Sequence, residues 1–375
     1  MARQYRLVSA DSHVNPLPTF WKDYLPQRHQ ERAPRLEQTS DGDFIVFEGK
    51  RTPFIIIGAL AGTKVQDYKV TGQVAETRPG GWEPQERLKD LALDNVDAEV
   101  LFGGGPLGTA DADLYQASFR AYNTWLADFC SQAPEQLLGM AYVPVADVAK
   151  AVEELRFAAG RGLRGVVIPA YPPDEGANEG GAIIPASPTS ERSYADPEFD
   201  PLWQASVESA MPINIHLGAR RADLRPHRFL PAMTGSKLAL GEVIAVFVFG
   251  GILQKHPDLK LVSVESGVGW FAFCAQYMDH VWERHRYWTK SDLKERPSFY
   301  MDRQVYGTFL DDKVGVQLRN APGARNIMWS SDYPHSETTW PNSWKMVEEH
   351  FAGVPKDETQ RIICGNVVDL YKLAG

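Results

Sequence analysis

The stretch Leu259-Lys-Leu-Val-Ser-Val-Glu265-Ser-Gly-Val-Gly-Trp270 joins a short, mostly apolar run to a helical pattern over Trp270–Arg286. Such a run is typical of a parallel strand that is covered on both faces. Glu265 stands where the run stops, which in a barrel of parallel strands is the end where functional side chains gather. The stretch therefore predicts one strand–helix unit with a polar group at the carboxyl end of its strand.

Seven further units of the same kind lie along the chain. The strand candidates are Tyr5–Ala10, Ala98–Phe102, Leu138–Val143, Gly165–Ile168, Ile213–His216, Leu259–Val264, Phe299–Tyr306 and Asn326–Ser330. The helical patterns are Pro84–Leu93, Asp113–Ala133, Asp147–Gly160, Glu198–Ala210, Leu238–Lys255, Trp270–Arg286, Asp311–Asn320, Pro341–Phe351 and Glu358–Leu373. Eight strand–helix repeats predict an α/β fold, a distorted (β/α)₈ TIM-type barrel, formed as a single domain over residues 1–375.

Two segments do not fit the repeat. Residues from about 35 to 81 carry short alternating patterns, Asp43–Glu48 and Pro53–Ile57, which predict a small β insertion after the first strand. Residues from about 171 to 193 form a long Gly-, Pro- and Ser-rich loop after the fourth strand. Both follow the carboxyl ends of strands, so we expect them to wall or cover an active site, or to make dimer contacts instead.

The composition excludes several classes of function. The 375 residues include 39 Lys and Arg against 48 Asp and Glu, for a formal net charge of −9. This balance argues against nucleic acid or an anionic membrane as a partner, because both select basic surfaces. The start of the chain lacks the apolar segment of a secretory signal, and the longest apolar run, Val243–Leu253, is short for a membrane span. We therefore expect a cytoplasmic protein.

The segment Gly103-Gly-Gly-Pro-Leu-Gly108 formally matches the GxGxxG dinucleotide fingerprint after a strand. The fingerprint also needs a helix that begins at the motif, whereas the helical pattern here begins only near Asp113. Pro106 removes one of the backbone donors that would bind phosphate. A plain glycine-rich loop is the better interpretation.

Ligand-capable side chains follow four of the predicted strands. They are Asp11, His13, His216, Glu265, Asp332 and His335. Imidazole and carboxylate donors together suit Zn²⁺, Mn²⁺ or Fe²⁺, and the ends of barrel strands bring them to one mouth. Taken singly, Asp11 could cap a turn, Asp332 could form an Asx turn, and Glu265 could be one half of a salt bridge.

With these motifs the chain resembles the amidohydrolase superfamily, in its decarboxylase-like branch of aminocarboxymuconate semialdehyde and resorcylate decarboxylases. The resemblance rests on Asp11-Ser-His13, His216, the stretch Leu259–Trp270, and Trp329-Ser-Ser-Asp-Tyr-Pro334. It implies a metal-bearing (β/α)₈ barrel. It also implies a divalent metal, zinc first with manganese or iron as alternatives, held by Asp11, His13, His216 and Asp332.

One position departs from the branch. Its decarboxylases resemble one another in a histidine followed by glycine at the end of the sixth strand, and this chain has Glu265 there. A carboxylate can act as a base toward water, or it can bind a second metal together with His335. The candidate catalytic residues are Glu265, Asp332 and His335.

The predicted function is that of a metal-dependent enzyme, either a hydrolase or a carbon–carbon lyase of the decarboxylase type. Its substrate would be a small carboxylate or carbonyl compound with an aromatic or unsaturated body. A dinuclear non-haem iron monooxygenase on the same barrel and a metal-holding partner subunit are the alternatives.

The remaining predictions concern the substrate and the assembly. Arg303 could pair with a substrate carboxylate, and Trp270, Tyr333, Trp340 and Trp82 could line an aromatic pocket. The aromatic run Trp282–Trp288 is compatible with a homodimer or higher oligomer, or with a related partner chain.

Overall fold

A parallel β-barrel forms the centre of the molecule in the computed structural model, which describes residues 4–174, 191–216 and 225–373. Its strands are hydrogen-bonded in the order β1-β5-β6-β7-β8-β9-β10-β11, and a separate antiparallel sheet has the order β2-β3-β4. In chain order the strands are β1 (Val8–His13), β2 (Arg35–Glu37), β3 (Phe44–Phe47), β4 (Lys50–Pro53), β5 (Ala98–Phe102), β6 (Leu137–Tyr142), β7 (Gly165–Val167), β8 (Ile213–His216), β9 (Leu261–Val264), β10 (Val305–Phe309) and β11 (Ile327–Trp329). The predicted distorted (β/α)₈ barrel is confirmed.

Serine hydroxyls and backbone groups close the barrel between its first and last strands. The amides of His13 and Asp332 donate to the carbonyls of Tyr333 and Asp11 at 2.6 and 2.9 Å. The Ser331 amide donates to Ser9 Oγ at 2.8 Å. This seam fixes the carboxyl end of β1 against the segment that follows β11.

Helices cover the outside of the barrel. They are α1 (Phe20–Tyr24), α2 (Gln27–Gln30), α3 (Pro84–Asp94), α4 (Ala112–Ser131), α5 (Val148–Gly160), α6 (Asp200–Glu208), α7 (Pro226–Leu238), α8 (Leu240–Phe249), α9 (Ile252–Lys255), α10 (Phe271–His285), α11 (Pro297–Gln304), α12 (Lys313–Gln317), α13 (Ser343–His350), α14 (Lys356–Gln360) and α15 (Asn366–Leu370). Short 3₁₀ helices cover Ile57–Ala59, Val65–Asp67, Val74–Glu76, Pro79–Gly81 and Pro197–Phe199, and a π-helix over Arg361–Gly365 joins α14 to α15.

Several predicted elements have different bounds in the structure, among them the seventh strand and the helix that follows the fifth strand. The seventh strand was expected at Phe299–Tyr306, but Pro297 starts helix α11 there and the strand begins only at Val305. Proline suits the first turn of a helix, where its missing N–H costs nothing. The helix predicted over Leu238–Lys255 is interrupted by Gly250 and Gly251, and Gly251 has a φ of 74°.

The β insertion is confirmed as the three-stranded sheet β2-β3-β4 with the 3₁₀ turns that follow it. The second predicted segment, 171–193, falls mostly on residues 175–190, which lie outside the described part of the chain.

In the described part of the chain, one helical stretch, His227–Phe249, has the length and apolar composition that a membrane span would need. One third of its most apolar window is buried within the protein.

Candidate metal centre

Strand β1 supplies two of the predicted ligands from inside the strand. The register against β5 shifts between Ser9 and Ser12, so β1 has a bulge at this point. A bulge re-aims the side chains beside it. Asp11 and His13 are both buried, and their side chains point to the same interior region.

Two further ligand candidates stand on strained backbone just beyond their strands. Glu265 follows β9 with a φ of 56°, and Asp332 follows β11 with a φ of 54°. Non-glycine residues adopt this left-handed region rarely, and such strain tends to collect at functional sites. The Glu265 amide is held by Thr308 Oγ1 at 2.7 Å. Both torsions turn a carboxylate toward the barrel axis.

The donor atoms converge within a few ångströms. Nε2 of His216 lies 3.2 Å from Nε2 of His13, and both nitrogens lie 3.5 Å from Oδ1 of Asp11. Oε2 of Glu265 lies 3.7 Å from the His13 nitrogen and 3.5 Å from the His216 nitrogen. These four side chains form one compact group of possible metal ligands, with all donor atoms within 4.8 Å of one another.

A second group shares two members with the first. It contains His13, Glu265, Asp332 and His335. Oδ1 of Asp332 lies 3.1 Å from Nε2 of His13 and 3.0 Å from Nδ1 of His335. The imidazole rings of His13 and His335 stack with centroids 3.7 Å apart. The structure thus brings all six predicted side chains together.

The carboxylates of this centre are buried, and most of their oxygens accept no hydrogen bond among the described residues. Among the described residues, both oxygens of Asp11, both of Asp332 and Oε2 of Glu265 have no hydrogen-bond partner. Buried carboxylates without partners are costly, so groups in this state are normally paired or bind a metal. Three such carboxylates facing three imidazoles therefore fit a divalent cation.

The charges within the centre act strongly on one another. Burial raises the pKa of Glu265, and the Asp332 carboxylate raises it further. Burial opposes ionisation of Asp332 as well, but His335 and His13 outweigh it and hold the pKa of Asp332 well below its usual range. Burial lowers the pKa of His335, whereas Asp332 more than offsets this and raises it to about 9. The Asp332 carboxylate therefore favours the charged form of the His335 ring.

A cavity of about 380 Å³ lies beside the centre. Segments after β1 and β5 and the β insertion form its walls, including Pro16, Phe20, Trp21, Ile45, Phe54, Gly58, Trp82, Gly104 and Gly105. A Cβ on Gly58 would lie 3.4 Å from the His335 ring, so the ring packs against the wall of this cavity at Gly58. The volume is within the range of small-molecule sites, and the lining is largely apolar.

The glycine-rich loop after β5 forms part of this wall. Gly103, Gly104 and Gly105 all have positive φ, and helix α4 begins only after the Asp111 cap. The loop therefore contributes shape to the cavity rather than a helix amino terminus.

Arg303 does not reach the centre. It lies in α11, before β10, and therefore at the end of the barrel away from the mouth. Its guanidinium donates to the Leu253 carbonyl and to Gln304, each at 2.6 Å. The expectation that it pairs with a substrate carboxylate was wrong, because α11 occupies the place where a strand was expected.

Tyr333 and Trp340 pack away from the centre as well. The Tyr333 hydroxyl donates to Asp90, and its ring contacts Trp340 at a centroid distance of 5.6 Å. The Trp340 indole donates to the Asp90 carbonyl at 3.0 Å. These two aromatic side chains are structural, which corrects their predicted place in the pocket. Trp82 does line the cavity.

Trp270 is half-buried at the corner between β9 and α10. Its indole donates to the Ser266 carbonyl at 3.0 Å, and its ring faces Gly241 of α8. These contacts hold the loop after Glu265.

Sequence reasoning missed a buried ion pair, between Arg87 and Glu99, that holds the end of β1 in place. Arg87 is fully buried, pairs with both oxygens of Glu99, and donates to the His13 carbonyl at 2.6 Å. An arginine and a glutamate 12 residues apart, one on a helix and one on a strand, give no local signal of pairing. Their contact fixes the end of β1, which positions His13.

Comparisons with known proteins agree with this architecture. The amidohydrolase family model matches residues 10–373. The chain is 24% identical to a 2-amino-3-carboxymuconate-6-semialdehyde decarboxylase of Dictyostelium discoideum, over 68% of this chain and 67% of that one. It is 24% identical to a gamma-resorcylate decarboxylase of Rhodococcus jostii, over 76% of this chain and 87% of that one.

Solved structures share the fold. An amidohydrolase from Mycobacterium avium subsp. paratuberculosis superposes with a TM-score of 0.75 at 20% identity, covering 99% of this chain and 100% of that one. A dihydroxybenzoic acid decarboxylase from Polaromonas was solved with manganese and the inhibitor 2-nitroresorcinol. It superposes with a TM-score of 0.64 at 16% identity, covering 99% of this chain and 98% of that one. The resemblance to the decarboxylase-like branch is confirmed, and the chain belongs to the amidohydrolase family.

Proposed function

We propose that the protein is a metal-dependent decarboxylase of small aromatic carboxylic acids. The observation that carries this proposal is the placement of His335. Its Nδ1 lies 3.0 Å from buried Asp332, and its other ring edge packs against Gly58 in the wall of the apolar cavity. An oriented imidazolium at the edge of a substrate-sized cavity is suited to donate a proton.

The metal would be held by the compact group Asp11, His13, His216 and Glu265. This assignment puts Glu265 among the ligands and leaves Asp332 to hold His335. When bound, a divalent cation supplies positive charge to the oxygens of the substrate. The mixed imidazole and carboxylate donors suit zinc or manganese, and the manganese of the Polaromonas relative supports testing that metal beside zinc.

Decarboxylation breaks one carbon–carbon bond, releases CO₂, and leaves its electron pair on a carbon that must take up a proton. His335 can supply that proton from the cavity side, while Asp332 on its opposite side keeps the ring charged and oriented. The apolar walls at Phe20, Phe54 and Trp82 suit an aromatic ring and exclude water.

The position of His335 accounts for the presence of Glu265 where the related decarboxylases have a histidine. The decarboxylases that the chain resembles carry a histidine at this place. In this chain an imidazole reaches the same centre from the loop after β11, as His335, stacked on His13.

Hydrolysis is the second candidate. It is favoured by Glu265, because a buried carboxylate with a raised pKa can take a proton from water. The relatives and solved structures named above include neither an oxygenase nor an inactive subunit, so those alternatives gain no support. The cytoplasmic location and the oligomer stay predictions.

The test is CO₂ release by protein loaded with manganese or zinc. The acids offered are 2,6-dihydroxybenzoate, 5-carboxyvanillate and 2-amino-3-carboxymuconate semialdehyde. We expect CO₂ from at least one of them, loss of the activity on chelation, and its return with metal. His335→Gln should keep the metal and lose turnover, whereas His216→Ala should lose both, and His350→Ala, which changes a histidine paired with Asp311, should lose neither.

Ester, lactone and amide analogues of the same acids provide the contrast. Turnover of these analogues without CO₂ release from any acid would contradict decarboxylation and favour hydrolysis.

A further inference from the structure

Lys237 lies at the mouth of the barrel, in the last turn of α7. Its ammonium is 3.2 Å from Oε2 of Glu337, two residues beyond His335, so it reaches from the segment after β8 to the segment after β11. The side chain is 28% exposed, whereas that of its partner Glu337 is 52% exposed. A lysine this far buried normally has a reason beyond a surface ion pair.

The charge of Lys237 is maintained by the centre itself. Burial lowers the pKa of Lys237, but the carboxylates of Glu265, Glu337 and Asp332 more than offset this and raise it. Because α7 follows β8 and Glu337 follows β11, this ion pair lies at the same mouth of the barrel as Glu265 and Asp332. Once Glu265 binds a cation and Asp332 holds His335, Glu337 is the exposed partner that remains.

Two other basic side chains of this region already pair with buried carboxylates. The guanidinium of Arg87 is fully buried against Glu99, and that of Arg78 pairs with Asp90 at 2.5 Å. Arg303, the cation expected from sequence, lies at the other end of the barrel. Of these described cations, Lys237 is the one at the mouth whose carboxylate partner is exposed, so an anionic substrate bound there would have Glu337 to displace from it.

We propose that Lys237 binds the carboxylate of the substrate, in exchange for Glu337, and so selects anionic aromatic acids over their neutral counterparts. The inference rests on the proposed function, because it takes the substrate to be an acid. An ammonium is a compact point charge that suits a carboxylate in varied orientations. Its contact weakens when the carboxylate departs as CO₂, which favours release of the neutral product.

The experiment compares two ligands that differ only in the carboxylate. Dissociation constants for 2,6-dihydroxybenzoate and resorcinol are measured by calorimetry on manganese-loaded protein. We expect Lys237→Met to weaken binding of the acid by tenfold or more and to leave resorcinol within about twofold of wild type. Lys255→Met, which removes an exposed lysine paired with Asp200, should change neither constant.

Glu337→Gln separates this role from that of a structural latch. If Glu337 competes with the substrate for Lys237, this variant should bind the acid several times more tightly than wild type. If the pair only fastens α7 to the loop after β11, both variants should lower the melting temperature and weaken both ligands alike, and the proposal is overturned. A wild type that binds the acid no better than resorcinol would also overturn it.

Binding is measured without turnover, so the two proposals fail separately. Acid binding that depends on Lys237 but yields no CO₂ would contradict the proposed reaction alone. CO₂ release with unchanged acid binding in Lys237→Met would contradict the role of Lys237 alone.

Discussion

Single residues at the metal centre combine strain, burial and charge. Glu265 and Asp332 each hold a left-handed backbone conformation that costs of order 1–3 kcal/mol. Oε2 of Glu265 and both oxygens of Asp332 are buried without hydrogen bonds among the described residues. A cation bound by Glu265 would neutralise that carboxylate, as His335 does that of Asp332, so we expect the metal to stabilise the fold as well as to serve the reaction.

The two carboxylates have different roles, which matched amide substitutions separate. Glu265→Gln removes a ligand charge from the compact group, so we expect metal affinity to fall by tenfold or more. Asp332→Asn leaves that group intact but no longer holds His335 as an imidazolium, so turnover should fall about a hundredfold or more with metal retained. Metal content by elemental analysis and steady-state rates give the two readouts.

Either of two results would contradict this division. Full metal content in Glu265→Gln with abolished turnover would make Glu265 the base rather than a ligand. Wild-type turnover in Asp332→Asn would reduce Asp332 to a turn residue.

The donor residues could be predicted from sequence because each stands where an apolar strand stops, and strand ends of a parallel barrel meet at one mouth. Tyr333 could not be placed, because its neighbour Asp332 breaks the alternation of side-chain direction with a φ of 54°. Its hydroxyl consequently meets Asp90 instead of the cavity. Local backbone strain of this kind has no clear signature in composition or spacing.

At the scale of elements, the β insertion forms one wall of the cavity. Ile45 on β3 lines the cavity, whereas Val65 lies in the same insertion with its side chain in solvent. We expect Ile45→Trp to fill part of the cavity and raise KM for an aromatic acid tenfold or more, with metal content unchanged. Val65→Trp is the matched control and should leave KM as in wild type.

An equal KM in both tryptophan variants would show that the insertion does not bind the substrate. The comparison requires only steady-state kinetics and elemental analysis on two purified variants.

Helices α3 and α13 are joined through a buried carboxylate with a shifted pKa. Asp94 ends α3 and accepts from the amide of Ser343 at 2.9 Å and from its hydroxyl at 2.5 Å. Burial raises the pKa of Asp94 to about 6, despite these hydrogen bonds. The folded state therefore holds its proton more tightly than the unfolded state, and stability from this group is lost as pH rises from about 4 through 6.

Asp94→Asn should remove this dependence while it keeps the hydrogen bond from the Ser343 amide and reverses the one with the Ser343 hydroxyl. We expect the free energy of unfolding of wild type, relative to the variant, to fall by about 2 kcal/mol between pH 4 and 7, after allowance for solvent screening. Urea unfolding of both proteins at several pH values measures this difference in the free energy of unfolding. Parallel curves for the two proteins would show that Asp94 titrates normally.

For the whole molecule, the number of strand–helix repeats was enough to predict the barrel, because only a few closed architectures accommodate eight such units. The bounds were less predictable where tertiary contacts decide them. Phe299 belongs to α11 because Pro297 starts a helix that packs on α10. The seam between β1 and β11 depends on Ser9 and Ser331, which lie 322 residues apart and give no local signal.

The same long-range contacts position the side chains of the centre. Arg87 ties the His13 carbonyl to Glu99 on β5, and the seam ties Asp11 to Asp332. Side chains of the centre from four strands thus converge without any one loop determining their position. The relative positions of these side chains therefore depend on the closure of the barrel between β1 and β11.

An anomalous-scattering map from crystals of the metal-loaded protein tests the central claim most directly. Data collected on both sides of the manganese or zinc absorption edge identify the element and its position together. We predict a peak about 2–2.3 Å from donor atoms of Asp11, His13, His216 and Glu265, with His335 between that peak and the cavity. A map without a peak among these side chains, in protein that elemental analysis shows to be loaded, would contradict the account.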